Sequence, residues 1–200
     1  VLNAWLRIAP DGLVTCGIHR AELGQGAATT LAMLLAEELD ADWQRVRYEF
    51  TALDKDYFNY GILAGGRPFG DPAGRPLARA GNAVLREVFH QLGLVVTIAS
   101  SGTIDAWDTL QAAGAEARRR LVSAAAARFR VPVGRLTVER GVVSDPETGQ
   151  RADLGELAAD AARLAPAGRV PPKEPAAFRL LGTSPPRLDL PAKVTGTAQY

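Results

Sequence analysis

The sequence has 200 residues, of which 47% are hydrophobic and 22% charged. That balance excludes a disordered chain, which has too little apolar surface to offset its conformational entropy. With 23 basic and 22 acidic residues there is no broad pull on phosphate, so nucleic acid is excluded as a partner. The single cysteine, Cys16, excludes an intrachain disulfide and a cysteine metal cage.

Apolar runs fall far short of the ~20 residues that span a bilayer. The chain opens on Val1 and stops at Gly196-Thr-Ala-Gln-Tyr200, which reads as mid-strand. The expectation is a piece of a longer polypeptide.

In chain order, Asn3–Ala9 alternates apolar and polar residues, Pro10-Asp11-Gly12 is a turn signal, and Leu13–Ile18 is a second run. Together they predict a β-hairpin. Gly24-Gln25-Gly26 then precedes a helix over 27–39, with Leu31, Leu34, Leu35 and Leu39 on its apolar face. Glu37 and Glu38 are expected on the solvated side of that helix. Residues 45–50 alternate with period two, which predicts a strand with Val46, Tyr48 and Phe50 on one face.

Residues 54–76, with Gly65-Gly66, read as a long loop, whose Tyr57, Phe58, Tyr60 and Phe69 suit a substrate funnel or a docking rim. Helix is predicted over 77–92, stopped by Gly93. Residues 94–98 suit a strand or an extended approach. Ser100-Ser101-Gly102-Thr103 is a second small-residue turn, leading into the longest helix, 104–129, with Thr103 or Asp105 as its cap. Residues 135–139 and 141–143 predict a second hairpin, and an Ala-rich helix begins near Asp153 and runs from 154 to 164. Seven prolines between 166 and 191 mark an extended linker that leaves the domain.

The fold class expected is α+β. A mixed or antiparallel sheet packs in two layers against three long helices, over residues 1–164, and a Pro-rich tail covers 165–200. His19 and Cys16 read as packed residues, His90 as a surface or satisfied one, and Arg118–Arg120 as a solvated face.

Both small-residue turns sit directly before helices. A helix start leaves backbone N–H groups unpaired and carries partial positive charge, so it favours an anion. Glycine permits close approach and positive φ, and Gln25 offers a donor and an acceptor. Neither turn is a P-loop or a dinucleotide fingerprint, and such turns serve as plain helix starts as readily as ligand sites.

Several strings in one order carry a more specific signal. They are Asn3-Ala-Trp-Leu-Arg-Ile-Ala-Pro-Asp-Gly12, Glu22-Leu-Gly-Gln-Gly26, Ala36-Glu-Glu-Leu-Asp-Ala-Asp-Trp43, Asp105-Ala-Trp107, Gly114-Ala-Glu-Ala-Arg118 and Leu180 to Ala198. The chain resembles, over nearly its whole length, the start of the large subunit of isoquinoline 1-oxidoreductase-type enzymes, molybdopterin-binding members of the xanthine dehydrogenase/aldehyde oxidase family.

The resemblance implies that Gly24, Gln25 and Gly26, with Ser100, Ser101, Gly102 and Thr103, contact a molybdopterin cofactor through backbone N–H groups and hydroxyls. The cytosine dinucleotide form is one variant of that cofactor. It implies hydroxylation of an aldehyde or N-heterocycle with oxygen from water. Electrons would leave through iron–sulfur clusters on a small [2Fe–2S] subunit, and a cytochrome c subunit is a further partner. The family's catalytic glutamate would lie outside this chain, which holds no catalytic or metal-ligating residue of its own. A hammerhead-like domain would follow residue 191.

A periplasmic, membrane-associated complex is implied, with a cytoplasmic one as the alternative. Leu23 stands where Met is common, and Ile98-Ala-Ser-Ser-Gly-Thr103 stands where a more glycine-rich turn is common. Two other readings stay open: a phosphate- or nucleotide-binding module without redox chemistry, and a non-catalytic fragment that docks a partner subunit.

Overall fold

The computed structural model describes residues 2–52, 54, 57–61, 76–93, 95–98 and 100–198. Gly65-Gly66 and Phe69 of the expected loop lie outside them.

The amino-terminal hairpin forms as β1 (Leu6–Ile8) and β2 (Val14–Ile18), paired antiparallel with Leu6 opposite Cys16. Gly12 at φ 81 makes the turn. Next come α1 (Ala27–Leu39), a 3-10 turn at Trp43–Arg45 and β3 (Val46–Phe50). β3 pairs parallel to β2, Val14 opposite Val46 and Ile18 opposite Phe50, so the sheet is mixed, in the order β1-β2-β3. A parallel pair needs a crossover, and α1 is that crossover. Its Leu31, Leu34, Leu35 and Leu39 are fully buried against Val14, Ile18 and Val46.

Helices α2 (Pro76–Leu92) and α3 (Ser101–Phe129) follow. Gly93, at φ 59, ends α2 as expected. α2 turns Val84, Val88 and Leu92, spaced four apart, to solvent. Residues 95–98 run extended, without strand pairing. α3 packs along α1: Asp105 meets Arg20, Gly114 meets Glu38, and Arg118 approaches Asp40. The two helices therefore start at the same end of the molecule. At Gly114 they touch so closely that an added Cβ would sit 2.6 Å from the Glu38 Cβ.

A second sheet, β4 (Thr137–Glu139), β5 (Val142–Ser144) and β6 (Arg151–Asp153), is an antiparallel meander. β6 was not expected; its three residues contain one small apolar side chain, too little for a period-two signal. α4 (Leu154–Arg163) starts in a capping box made by Asp153 and Glu156 and packs on α3 through Leu157 and Ala161.

Two expectations are corrected here. Residues 165–198 do not leave the domain. They run back over α1, place Leu180, Leu181 and Leu188 against the core, and end in the short helix α5 (Leu190–Val194). Under that strap Glu37 and Glu38 are 2% and 0% exposed, not solvated. Glu37 accepts the backbone N–H groups of Arg179, Leu180 and Leu181, and Lys173 contacts both Glu37 and Asp40. Arg120 is likewise buried, donating to the carbonyls of Leu2, Ala161 and Ala162. A long side chain leaves the surface when it can satisfy every polar atom inside.

Candidate functional site

β2 and β3 both end where the chain turns away toward Arg20 and Thr51. Beyond the carboxyl ends of parallel strands lies the usual crevice of an open α/β sheet. A groove of about 830 Å³ is found there, a volume in the range of small-molecule and cofactor sites. Its floor comes from Ile18, His19 and Arg20, and one side from Tyr48, Phe50 and Thr51. The opposite rim is formed by Glu22 and Leu23, with Thr97, Asp189 and Lys193 closing the ends. Tyr48 and Phe50, the expected same-face pair, meet edge to face with ring centroids 5.5 Å apart.

The first turn is shaped from inside. Glu22 Oε1 accepts the N–H groups of Gly24 at 2.8 Å and Gly26 at 3.0 Å, and Oε2 accepts that of Ala28 at 3.0 Å. Burial pushes the Glu22 carboxyl up, but the amides of Gly26, Ala28 and Gly24 outweigh it and hold the group below the usual carboxylate range. Gln25 folds back on the same turn: its Oε1 accepts the Leu23 N–H at 2.6 Å, and its Nε2 donates to the Ala21 carbonyl at 2.9 Å. Gly24 and Gly26 stand at φ 101 and 86, conformations that glycine adopts without strain. The expectation of bare amides at this helix start is thus corrected. A carboxylate two residues ahead of the turn already satisfies them.

The second turn is shorter than expected. Ser100, at φ 55, is the residue before α3, and no side-chain cap comes from Thr103 or Asp105. Ser101, Gly102 and Thr103 are helical. The Ser101 hydroxyl donates to the Ile98 carbonyl at 2.7 Å and accepts from Asn59 at 2.8 Å, and its N–H also goes to Ile98. Gly102 lies against the methylenes of Arg20.

Arg20, just ahead of the first turn, joins the end of β2 to the start of α3, and the sequence did not single it out. It is 1% exposed and pairs with Asp105 at 2.5 Å. It also donates to the carbonyls of His19, Tyr57 and Phe58. Asp105 in turn accepts the N–H groups of Tyr60 and Gly61. Close by, the Ala21 N–H donates to the Thr97 hydroxyl at 2.9 Å. The segment leading into the first turn is therefore fastened to the start of α3, whereas Gly24, Gln25, Gly26 and Ser100 to Thr103 are not among the residues that line the groove. An arginine is seldom buried without a partner, and that partner lies 85 positions away, so only the fold reveals the pair.

His19 is wedged against Trp5 and Tyr57, ring centroids 4.6 and 5.9 Å away. Burial, aided by the Arg20 charge, lowers its pKa to about 3, which agrees with a packed rather than proton-carrying residue. Cys16 is fully buried, and burial pushes its thiol up to about 12. Of the loop aromatics, Tyr57 meets Trp5 edge to face, while Phe58 and Tyr60 lie beneath Arg86 of α2. No group of three or more metal-ligating side chains occurs among the described residues, and none of the described helices is long and apolar enough to cross a membrane.

Comparison with known proteins gives the following. Residues 2–93 match the model of the family described as molybdopterin cofactor-binding domain. The isoquinoline 1-oxidoreductase subunit beta of Brevundimonas diminuta is 34% identical over 99% of this chain and 26% of its own length. The "membrane-bound aldehyde dehydrogenase [pyrroloquinoline-quinone]" of Gluconacetobacter polyoxogenes is 29% identical over 98% of this chain and 21% of its own length. Quinoline 2-oxidoreductase from Pseudomonas putida 86 superposes with a TM-score of 0.45 at 20% identity, over 82% of this chain and 17% of that one. The chain thus spans about a quarter or less of the curated relatives it matches.

Proposed function

For a chain whose residues 2–93 belong to the molybdopterin cofactor-binding domain family, we propose that the domain is part of a molybdenum hydroxylase large subunit. In this reading it holds one side of the pterin cofactor at the joint between the Gly-Gln-Gly turn and the start of α3. The observation that carries the reading is the Arg20–Asp105 pair, which holds the segment leading into the first turn against the start of α3, beside a groove of cofactor size.

The residues present fit such a ligand, by a route different from bare amides. Glu22 fixes the shape of the turn, so the turn offers the open face of Gly24 and the carboxamide of Gln25, while Gly26 is buried against the Arg187 guanidinium. Nothing lies within 4 Å of a Cβ placed on Gly24, so a flat ligand can come close to the backbone there. Gln25 reaches a ligand by exchanging its bonds to Leu23 and Ala21 for contacts outward, which keeps its donor and acceptor both satisfied. Ser100 and Thr103 offer hydroxyls from the second turn, while Ser101 and Gly102 form its fixed floor. When bound, the molybdenum cofactor supplies the hydroxylation chemistry, and this domain supplies binding and orientation.

Aldehydes or N-heterocycles are the proposed substrates. A small [2Fe–2S] subunit and a cytochrome c subunit are the proposed electron partners. The names of the relatives, an isoquinoline oxidoreductase subunit and a membrane-bound aldehyde dehydrogenase, support a substrate of that class and a periplasmic, membrane-associated complex, with a cytoplasmic one as the alternative.

The test is molybdenum content of the full-length subunit carrying Gln25→Ala or Gly26→Val. Loss of one or two cofactor hydrogen bonds should weaken retention about tenfold for Gln25→Ala, with the circular dichroism spectrum unchanged. Full molybdenum content in both variants would overturn the assignment of the turn.

A further inference from the structure

Two clusters of ion pairs hold residues 165–198 down, and they differ in kind; between them the Trp43 indole N–H donates to the Pro186 carbonyl at 3.2 Å. The first is buried. Lys173 Nζ lies 2.9 Å from Glu37 Oε1 and 2.6 Å from Asp40 Oδ1, and its own N–H donates to both oxygens of Glu38. Three further N–H groups, from Arg179, Leu180 and Leu181, close on Glu37 Oε2. The side chains of Lys173 and Glu37 are 7% and 1% exposed.

The second tie is carried by cations partly open to water, although the side chains of its acids, Asp189 and Glu22, are 2% and 4% exposed. Arg187 Nη2 lies 2.6 Å from Asp189 Oδ2 and 3.3 Å from Glu22 Oε1, and Nη1 donates to the Gly24 carbonyl at 3.1 Å. Lys193 Nζ lies 2.7 Å from Asp189 Oδ2 and 3.8 Å from Glu22 Oε1. The side chains of Arg187 and Lys193 are 37% and 25% exposed. A single N–H, that of Leu188 on the Thr29 hydroxyl, adds to this tie.

What hangs on the second tie is one wall of the groove. Asp189, Ala192, Lys193, Thr197 and Ala198 line it, and they belong to α5 and the residues flanking it. α5 buries no residue of its own, and it turns Leu190 and Val194 outward. Apart from Leu188, which packs against the core, its hold on the domain is ionic, and it runs through the same Glu22 that shapes the Gly-Gln-Gly turn.

We propose that residues 187–198 are a flap over the groove, latched by Arg187 and Lys193 on Glu22 and by Arg187 on the Gly24 carbonyl, with Asp189 of the flap holding the two cations together, which opens while residues 173–181 stay in place. The hinge falls between the two ties, at Gly182 to Pro186, where Gly182 stands at φ 86 and two prolines follow. Opening widens the groove from the side away from β2, and leaves the buried acids of α1 covered. The turn senses the flap because the Gly24 carbonyl and the Glu22 carboxylate are both Arg187 acceptors. This inference concerns access to the groove and holds whichever ligand the groove takes.

Salt separates the two ties. At about 1 M ionic strength the screening length falls to ~3 Å, which weakens exposed pairs and leaves buried ones nearly intact. Hydrogen–deuterium exchange of the full chain, read by mass spectrometry, should show amides in 188–198 exchanging about tenfold faster at high salt than at low salt. Arg187→Gln at low salt should give the same local acceleration. In both cases residues 173–181 should keep their protection. Acceleration of both segments together would mean the strap is a single cooperative unit, and unchanged exchange at 188–198 would mean the latch holds nothing; either result overturns the flap. The salt arm uses the unaltered chain, so the test stands if Arg187→Gln fails to fold.

Discussion

Gly114→Ala decides the sign of a substitution that helix propensity alone gets backwards. In an exposed helix interior, replacing glycine with alanine stabilises by about 1 kcal/mol. Gly114 sits in α3 at its closest contact with α1, where the new Cβ would lie 2.6 Å from the Glu38 Cβ and 3.3 Å from the Leu35 carbonyl oxygen. Carbon atoms in contact prefer ~3.5–4.0 Å, so the helices must part by about 1 Å at this point.

Neither neighbour can yield: one is backbone, and the other is the root of a side chain fixed by the Lys173 N–H. Overpacking of this kind costs about 1–3 kcal/mol. Two contacts this short against rooted atoms place the cost in the upper part of that range, about 2–3 kcal/mol, so set against the propensity gain the net is a loss of roughly 1–2 kcal/mol, or about 2–8 °C in melting temperature for a domain of this size. Thermal unfolding followed by circular dichroism measures it, with Ala112→Gly, at an exposed position of the same helix, as the calibration of propensity. A Gly114→Ala protein that melts at or above the parent temperature would refute the close-packed crossing.

Other outcomes follow from the buried groups. His19 is held neutral, its folded pKa near 3 lying below the unfolded value of about 6.5, so its contribution is present above pH 6.5 and lost as pH falls toward 3. Denaturant unfolding should show a slope from this residue of up to about 1.4 kcal/mol per pH unit in that window, and His19→Phe should flatten it; an identical slope would discount the residue. Cys16, with its thiol pushed up to about 12, should resist a disulfide-exchange reagent at neutral pH until the protein unfolds, and rapid labelling of the native state would contradict its burial. Asp153→Ala removes both the α4 cap and the partner of Arg45. It should destabilise by roughly 1–2 kcal/mol, and a change below about 0.3 kcal/mol in denaturant titration would show the capping box to be idle.

Much of the scaffold was legible because its signals are local. The Leu31, Leu34, Leu35 and Leu39 stripe announces α1, Gly93 announces the end of α2, and Asp153 announces the start of α4. What escaped depends on residues far apart in the chain. Glu37 and Glu38 read as solvated because their partners, from Lys173 to Leu181, come more than 130 positions later. The proline content of 165–191 correctly signalled extended backbone, but extended backbone carries free N–H groups, and these found the α1 acids.

At the candidate site the two turns were visible as small-residue strings, whereas the Arg20–Asp105 fastening was not. Glu22 was visible as part of a resemblance string. Its role was missed because the unpaired amides of a helix start were expected to await a ligand rather than a neighbouring side chain.

The placing of Glu37 under the strap has a consequence for biosynthesis. When translation has just completed α4, the α1 acids have their hydrophobic neighbours but none of the donors that later surround them. The nascent domain then carries two carboxylates on a face meant to be covered, and only emergence of the segment through Leu181 removes that exposure. Domains made on the ribosome fold as units once their last member is out. A message truncated after Arg163 therefore yields a product that quality-control proteases should treat as unfinished, even though β1 to β6 and α1 to α4 are already encoded in it.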